Sequence, residues 1–312
     1  MRRTTIAIAV GALASLVLVG EVVSRKVIGL GTPPLYVSYE GMDYKLKPNQ
    51  DILRFGNRIA INDASMRTSN NIIGMPKSGK SRILIFGDSV LWGGSQMDQE
   101  DIATSLLNKK LSDKYEIFDV SAGSWGPGNW NEYIKENGLF NADKIILLMN
   151  SGDLTDMPNR LENMPNLSRP TTNPPSALWE CVTRYVTPRI QNFAKKIAPI
   201  KQDQTTIDKT LAISKGSNIL NQTIDLIEKS GAELSVVQFW SKEEVMNELP
   251  SANHPIAQDI FKDRGVSTFQ SLPYFKRCSN KPSDLFVDGI HPYTKEGQKC
   301  LALVLEDAIA TP

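Results

Sequence analysis

The stretch Arg82-Ile83-Leu84-Ile85-Phe86-Gly87-Asp88-Ser89 decides the fold. A short, uninterrupted apolar run that stops at a tight Gly-Asp-Ser turn reads as a strand buried on both faces of a parallel sheet. Such a strand delivers the Ser89 hydroxyl to the rim of the sheet. Two hundred residues later stands Asp288-Gly289-Ile290-His291-Pro292, which holds one of only two histidines in the chain. A serine is a weak nucleophile until an imidazole takes its proton, and the imidazole needs a carboxylate to fix its tautomer. Ser89, Asp288 and His291 supply all three groups.

Around the first strand the pattern alternates. Asp98 to Leu111 reads as a helix, with acids in its first turn and lysines near its end. Tyr115 to Val120 reads as a second strand, followed by a glycine-rich loop from Ser121 to Gly128 and a short helix. Lys144 to Met149 is a third strand, Asn218 to Lys229 an amphipathic helix, Glu233 to Phe239 a fourth strand and Val266 to Leu272 a fifth. Thr294 to Ile309 closes the chain as a helix, with Thr294 as N-cap and Gly297 a weak point near its start. Strands separated by helices predict an α/β fold, a three-layer α/β/α sandwich around a parallel, flavodoxin-like sheet. Ligands then sit beyond the carboxyl ends of the strands.

Two regions break this rhythm. Residues 31–80 form a polar lead-in with a possible hairpin around Tyr36 to Leu46. Residues 154–212 are proline-rich and irregular, an insertion in the domain 81–312 that is either a solvated loop or a cap over the substrate.

Residues 1–30 stand apart. Arg2 and Arg3 precede an uncharged run from Thr4 to Gly20, just long enough to span a bilayer if Glu21 lies at the interface. The arginines favour the cytoplasmic side for the N-terminus, which puts the remaining chain outside the cytoplasm. The Ala12-Leu13-Ala14 triplet lies inside the apolar run. An uncleaved anchor is therefore expected, with a cleaved signal peptide as the alternative.

Lysine plus arginine number 35 and aspartate plus glutamate 34 across 312 residues. This balance argues against nucleic acid as a partner, because phosphate binding needs clustered basic charge. The three cysteines allow at most one internal pair. Cys181 and Cys278 are the expected pair, with Cys300 a buried thiol on the closing helix. None has metal-ligand spacing, and no cofactor is expected. His254, in Asn-His-Pro, reads as a surface-loop histidine. Trp92, Trp125 and Trp130 read as core packing, with sugar stacking as the alternative. Gly74-Met75-Pro76-Lys77-Ser78-Gly79-Lys80-Ser81 fits the phosphate-loop pattern, but such a loop must follow a strand and open a helix. Here a strand follows it, so nucleotide binding is not expected.

The Ser89 and His291 segments resemble the SGNH, or GDSL-type, hydrolase family over most of Arg82 to the C-terminus. Gly87-Asp88-Ser89 matches the first family motif and Asp288-Gly289-Ile290-His291 the last. Ser121-Ala122-Gly123-Ser124-Trp125-Gly126 is similar to the second. The resemblance implies Ser89 as nucleophile, His291 as base, Asp288 as its orienting partner, and the amides of Ser89 and Gly126 as oxyanion donors. The third motif departs from the family. Where Gly-x-Asn-Asp is usual, the chain has Asn150-Ser151-Gly152-Asp153, so Gly152 occupies the asparagine position. Either Asn150 substitutes, or the Gly152 amide does, or the oxyanion hole is poorer. The resemblance implies a membrane-anchored serine esterase or O-acyltransferase for an acylated carbohydrate, such as acetyl esters on a cell-surface polysaccharide, or for another acyl ester. The alternative is a non-catalytic carbohydrate-binding or assembly subunit that keeps the fold.

Overall fold

A computed structural model describes residues 2–158, 166, 168–190 and 209–311. The expected insertion therefore falls partly outside the described residues, at 159–165, 167 and 191–208.

The central sheet has five strands: β5 (Ser81–Gly87), β6 (Tyr115–Ser121), β7 (Lys144–Asn150), β8 (Glu233–Phe239) and β9 (Ser267–Gln270). Their order is β6-β5-β7-β8-β9 and every pairing is parallel. This is the doubly wound order 2-1-3-4-5, in which the chain reverses direction between its first and third strands. Here that switch point lies between β5 and β7, whose carboxyl ends carry Ser89 and Asn150.

Side chains of a strand alternate between faces, so a strand covered on both sides must be apolar throughout. β5 shows this. Leu84 and Phe86 enter one core with Trp130, Tyr133, Leu220 and Ile224. Ile83 and Ile85 enter the other with Leu107, Phe275, Leu301 and Val304. The first layer holds α4 (Pro127–Asn137) and α6 (Lys209–Ser230). The second holds α3 (Ala103–Lys110), α9 (Leu272–Cys278) and α10 (Lys295–Ala310). Among the described residues the other α-helices are α1 (Arg2–Val23), α2 (Ser89–Trp92), α5 (Ala177–Glu180), α7 (Lys242–Asn247) and α8 (Asn253–Asp263).

Thr294 caps α10 by accepting the Gly297 amide at 2.9 Å. Gly297 is there for space rather than as a flaw: a Cβ would lie 2.5 Å from the Leu285 carbonyl and 2.8 Å from that of Pro292. α3 starts five residues later than its acids suggest. Asp98 is held in a turn, accepting the Arg58 amide at 2.7 Å and the Glu100 amide at 3.0 Å.

The lead-in is built into the core. β1 (Tyr36–Tyr39) and β2 (Asp43–Leu46) form the expected hairpin, and β3 (Gln50–Arg54) with β4 (Asn57–Ile61) a second one. Met42, Leu46, Ile59 and Met66 are all fully buried against the first layer. The polar composition of the segment hides this, because β2 and β3 alternate and because polar residues such as Asn62, Arg67 and Thr68 are buried alongside the apolar ones.

Two expectations need correction. Cys278 and Cys300 form the disulfide and Cys181 is the free thiol. Adjacent α9 and α10 bring the Cα atoms to 6.0 Å, ordinary disulfide spacing. Cys300 is buried as expected, but it faces Cys278. His254 is buried rather than at the surface. Asn-His-Pro opens α8 instead of a loop, since proline is tolerated in a first helical turn. There Nε2 lies 3.0 Å from Gln270 Oε1, and the ring packs on Trp240. Trp92, Trp125 and Trp130 are core residues. Gly74 to Ser81 leads directly into β5, and Lys80 Nζ donates to the Ser112 carbonyl at 2.6 Å.

One buried acid makes the stability pH-dependent. Burial pushes the Asp119 carboxyl up to about 7, despite hydroxyl bonds from Ser121 and Thr104 and the nearby Arg67. Its unfolded value is about 3.9. The folded state therefore holds the proton more tightly, and stability falls as pH rises from about 4 through about 7. Asp119→Asn should flatten part of this loss, gaining on the order of a few kcal/mol over the parent at pH 8 relative to pH 5. Urea unfolding at the two pH values checks this; an equal difference at both would place the pH dependence elsewhere.

Candidate active site

β5 ends at Gly87, and Asp88 caps the single turn of α2 by accepting the Val90 amide at 2.8 Å. This holds Ser89 at the first helical position, half-buried, with its hydroxyl beyond the sheet. Asp288 and His291 come from the loop before α10. Asp288 Oδ1 accepts the Ile290 and His291 amides, each at 2.9 Å, which folds the segment into a turn. That turn points the imidazole at Ser89. His291 Nε2 lies 2.9 Å from Ser89 Oγ, and His291 Nδ1 lies 2.7 Å from Asp288 Oδ2. Burial raises the Asp288 carboxyl, but the bonds from the His291 ring and the two amides outweigh it and leave it below the usual carboxylate range. It stays ionised, as the partner of an imidazole N–H must.

Tyr293 belongs to this arrangement and escaped the sequence reading. Its ring packs on His291 with centroids 4.7 Å apart, and its hydroxyl donates to the Ser89 carbonyl. Its position two residues after His291 was the only available signal. The hairpin β1–β2 and the adjoining segment brace the same region. Trp125 Nε1 donates to the Tyr44 carbonyl at 3.0 Å, Asn129 Nδ2 to that of Met42 at 2.8 Å, and the buried Arg67 to those of Gly94 and Met97, both at 2.6 Å.

The oxyanion candidates are placed differently. Asn150 ends β7, and its Nδ2 donates to Asp88 Oδ2 at 2.9 Å and Asp153 Oδ1 at 2.7 Å. The Gly152 amide donates to Asn150 Oδ1 at 2.6 Å. The Gly126 amide donates to Asn129 Oδ1 at 3.0 Å, and a Cβ on Gly126 would lie within 2.9 Å of the Asp153 and Asp156 carbonyls. All three donors thus have protein acceptors. Among the described residues, the Ser89 amide is the one candidate donor without one.

The cleft over Ser89 measures about 400 Å³ and is open. Ser124, Thr155, Asp156, Gly152 and Ile290 line it beside Ser89 and His291. Ser124 holds a positive φ of 58°, which turns the loop after β6 toward the cleft. Three acids gather here. Burial pushes Asp88 and Asp156 each up to about 6, and burial together with the Asp88 and Asp156 carboxylates holds Asp153 well above the usual carboxylate range. Among the described residues, no group of three or more His, Cys, Asp or Glu has the arrangement of a metal site.

Asn150→Ala would strip both Asp88 and Asp153 of a buried donor. The fold should lose about 1–3 kcal/mol at pH 8. The loss should shrink toward pH 5, where these raised carboxyls take up protons. Thermal unfolding at the two pH values measures it; a variant as stable as the parent at pH 8 would show that the network is dispensable.

No protein-family model matches the chain, and no curated protein is significantly similar in sequence. Among solved structures, the chain is similar to the acetyl xylan esterase AlAXEase, with a TM-score of 0.46 and 14% identity over 73% of this chain and 99% of that one. It is also similar to a variant of Axe2, an acetyl xylan esterase from Geobacillus stearothermophilus (0.43, 12%, 75% and 95%). A third is a lipolytic protein of the G-D-S-L family from Desulfitobacterium hafniense (0.44, 10%, 73% and 99%). At these values the likeness concerns the arrangement of strands and helices and assigns no residue a role.

Proposed function

We propose that the chain is a membrane-anchored, serine-dependent O-acyl ester hydrolase or O-acyltransferase. The observation that carries this reading is the continuous line of bonds from Ser89 Oγ through the His291 ring to Asp288. Ser89 attacks an acyl carbonyl while His291 Nε2 takes its proton. The carbon becomes tetrahedral, and the negative oxygen is stabilised by the Ser89 amide. His291 then returns the proton to the leaving alkoxide as the bond to it breaks, which gives an acyl-serine. Water or a second hydroxyl, deprotonated by His291, attacks this intermediate and regenerates Ser89.

The cleft supports a short acyl group on a polar carrier. Ile290 is its one apolar lining residue among those described, which suits a short acyl group, and Ser124, Thr155 and Asp156 suit sugar hydroxyls. An acetyl ester on a cell-surface polysaccharide fits both features. The residues 4–28, with a mean hydropathy of 2.4 over their most apolar window, are long and apolar enough to cross a bilayer. With Arg2 and Arg3 ahead of them, the domain lies outside the cytoplasm.

One observation favours the second reading, a carbohydrate-binding or assembly subunit without turnover. The side-chain donors of Asn150 and the amides of Gly152 and Gly126 are all committed within the protein. Loss of one oxyanion donor can cost about 100- to 1,000-fold.

The full chain in detergent, offered p-nitrophenyl acetate and p-nitrophenyl dodecanoate, tests the proposal. Faster turnover of the acetate is expected. Added oligosaccharide should divert acetyl from water if the enzyme is a transferase. A folded protein that turns over neither ester would favour the non-catalytic reading.

A further inference from the structure

The helix that begins at α5 is inside-out. It continues through wider turns to residue 190. Its inward side carries Glu180, which is 3% exposed and bonded to Arg54. Its outward side carries Trp179, Val182, Val186 and Ile190, each exposed, Trp179 at 57% and Ile190 at 62%. A helix on an aqueous surface has the opposite polarity.

Its start is fixed to the end of α1. Glu21 accepts the Ala177 amide at 2.9 Å and the Leu178 amide at 3.0 Å, and a Cβ on Gly20 would touch Leu178 at 3.7 Å. Glu21 also pairs with Arg25. Next to this junction, Val27 and Ile28 are exposed, and Phe55 at the tip of the β3–β4 hairpin bonds the Ile28 carbonyl and packs edge-on against Tyr185. Past the Glu21–Arg25 pair and the exposed Lys26 at the junction, the apolar surface resumes at Val27 and Ile28 and reaches the folded domain through Phe55.

We propose that this face, formed by Trp179, Val182, Val186 and Ile190 with Phe55 and Ile28, rests in the headgroup interface of the bilayer that α1 crosses. The proposal rests on α1 being a membrane anchor. If the uncharged run ending at Gly20 fills the hydrocarbon, Glu21 marks the interface, and the two amides it holds lie at the same depth. Trp179 follows immediately, at the level where tryptophan is enriched. The basic Arg25, Lys26 and Arg189 suit lipid phosphates, while the nearby acid Glu180 is neutralised by Arg54. The bilayer would then hold the domain in a fixed orientation rather than on a loose tether.

Trp179 is the natural probe. The other four tryptophans are 8% exposed or less. The full chain is placed in phospholipid nanodiscs with and without lipids brominated near the top of the acyl chain. The emission lost in Trp179→Phe is the Trp179 component, and bromination should quench most of it. A double variant, Val182→Glu with Val186→Glu, alters exposed positions only and should reduce that quenching severalfold. Unquenched Trp179 emission, in a protein that resists carbonate extraction from membranes, would overturn the interfacial face and leave the anchor standing. A protein removed by carbonate would overturn the anchor and the interfacial face together.

Discussion

Ser89→Ala should lower turnover of a short-chain ester by at least about 10⁴-fold with the fold intact. The hydroxyl removed is the atom that His291 Nε2 faces at 2.9 Å. Its one other partner is the Asp88 carboxylate at 3.4 Å, so little structure depends on it. The capping bond of α2 comes from Asp88 and survives the change. The loss should fall on kcat, because the acyl-serine cannot form. His291→Ala should cost a similar factor, and the double variant little more than either, since the two act as one unit. Near-parental activity in Ser89→Ala, corrected for contaminating esterases, would remove Ser89 from the mechanism.

The second large effect concerns the join between the insertion and the lead-in. Glu180 and Arg54 are 3% and 1% exposed, and form a two-point pair with Nη1 to Oε2 at 2.9 Å. The same carboxylate accepts the Gly31 amide at 2.6 Å, and Arg54 also holds the Gly29 carbonyl at 3.1 Å and the Tyr185 hydroxyl at 2.7 Å. One ion pair thus ties the end of the apolar helix, the second hairpin and the insertion helix together. Glu180→Ala leaves a buried guanidinium without its counter-charge and should cost about 3–5 kcal/mol. Replacing both partners, Arg54→Met with Glu180→Leu, should recover most of that, because the charges themselves are costly to bury. Urea unfolding of the full chain in detergent measures both. A loss under about 1 kcal/mol in Glu180→Ala would mean that solvent reaches Arg54 far better than its burial implies.

The sequence carried the fold through one physical rule. Strands covered on both faces must be apolar throughout, so β5, β7 and β8 stood out. β9 is half-buried at every position and less sharply bounded, and its limits were read too wide. The side chains of Ser89, Asp288 and His291 were legible because each lies at a turn set by local residues. Tyr293 was not, since an aromatic residue at a helix entry carries no signal of what it stacks on. The burial of the lead-in was hidden for a different reason. Strands β2 and β3 alternate, and polar positions such as Asp51 and Arg58 pair with each other at the surface. The cysteine pairing depended on how α9 packs on α10, a tertiary fact that spacing along the chain does not contain. The commitment of Asn150 to Asp88 likewise arises only when β5 and β7 lie side by side.

Covalent capture would mark the nucleophile itself. The full chain is incubated with a serine-reactive fluorophosphonate, digested, and its peptides weighed. A single phosphonylated site is expected at Ser89, absent from His291→Ala because the hydroxyl is then not activated. An intact, folded protein that stays unlabelled at Ser89, or that is labelled equally with and without His291, would contradict Ser89 as the nucleophile.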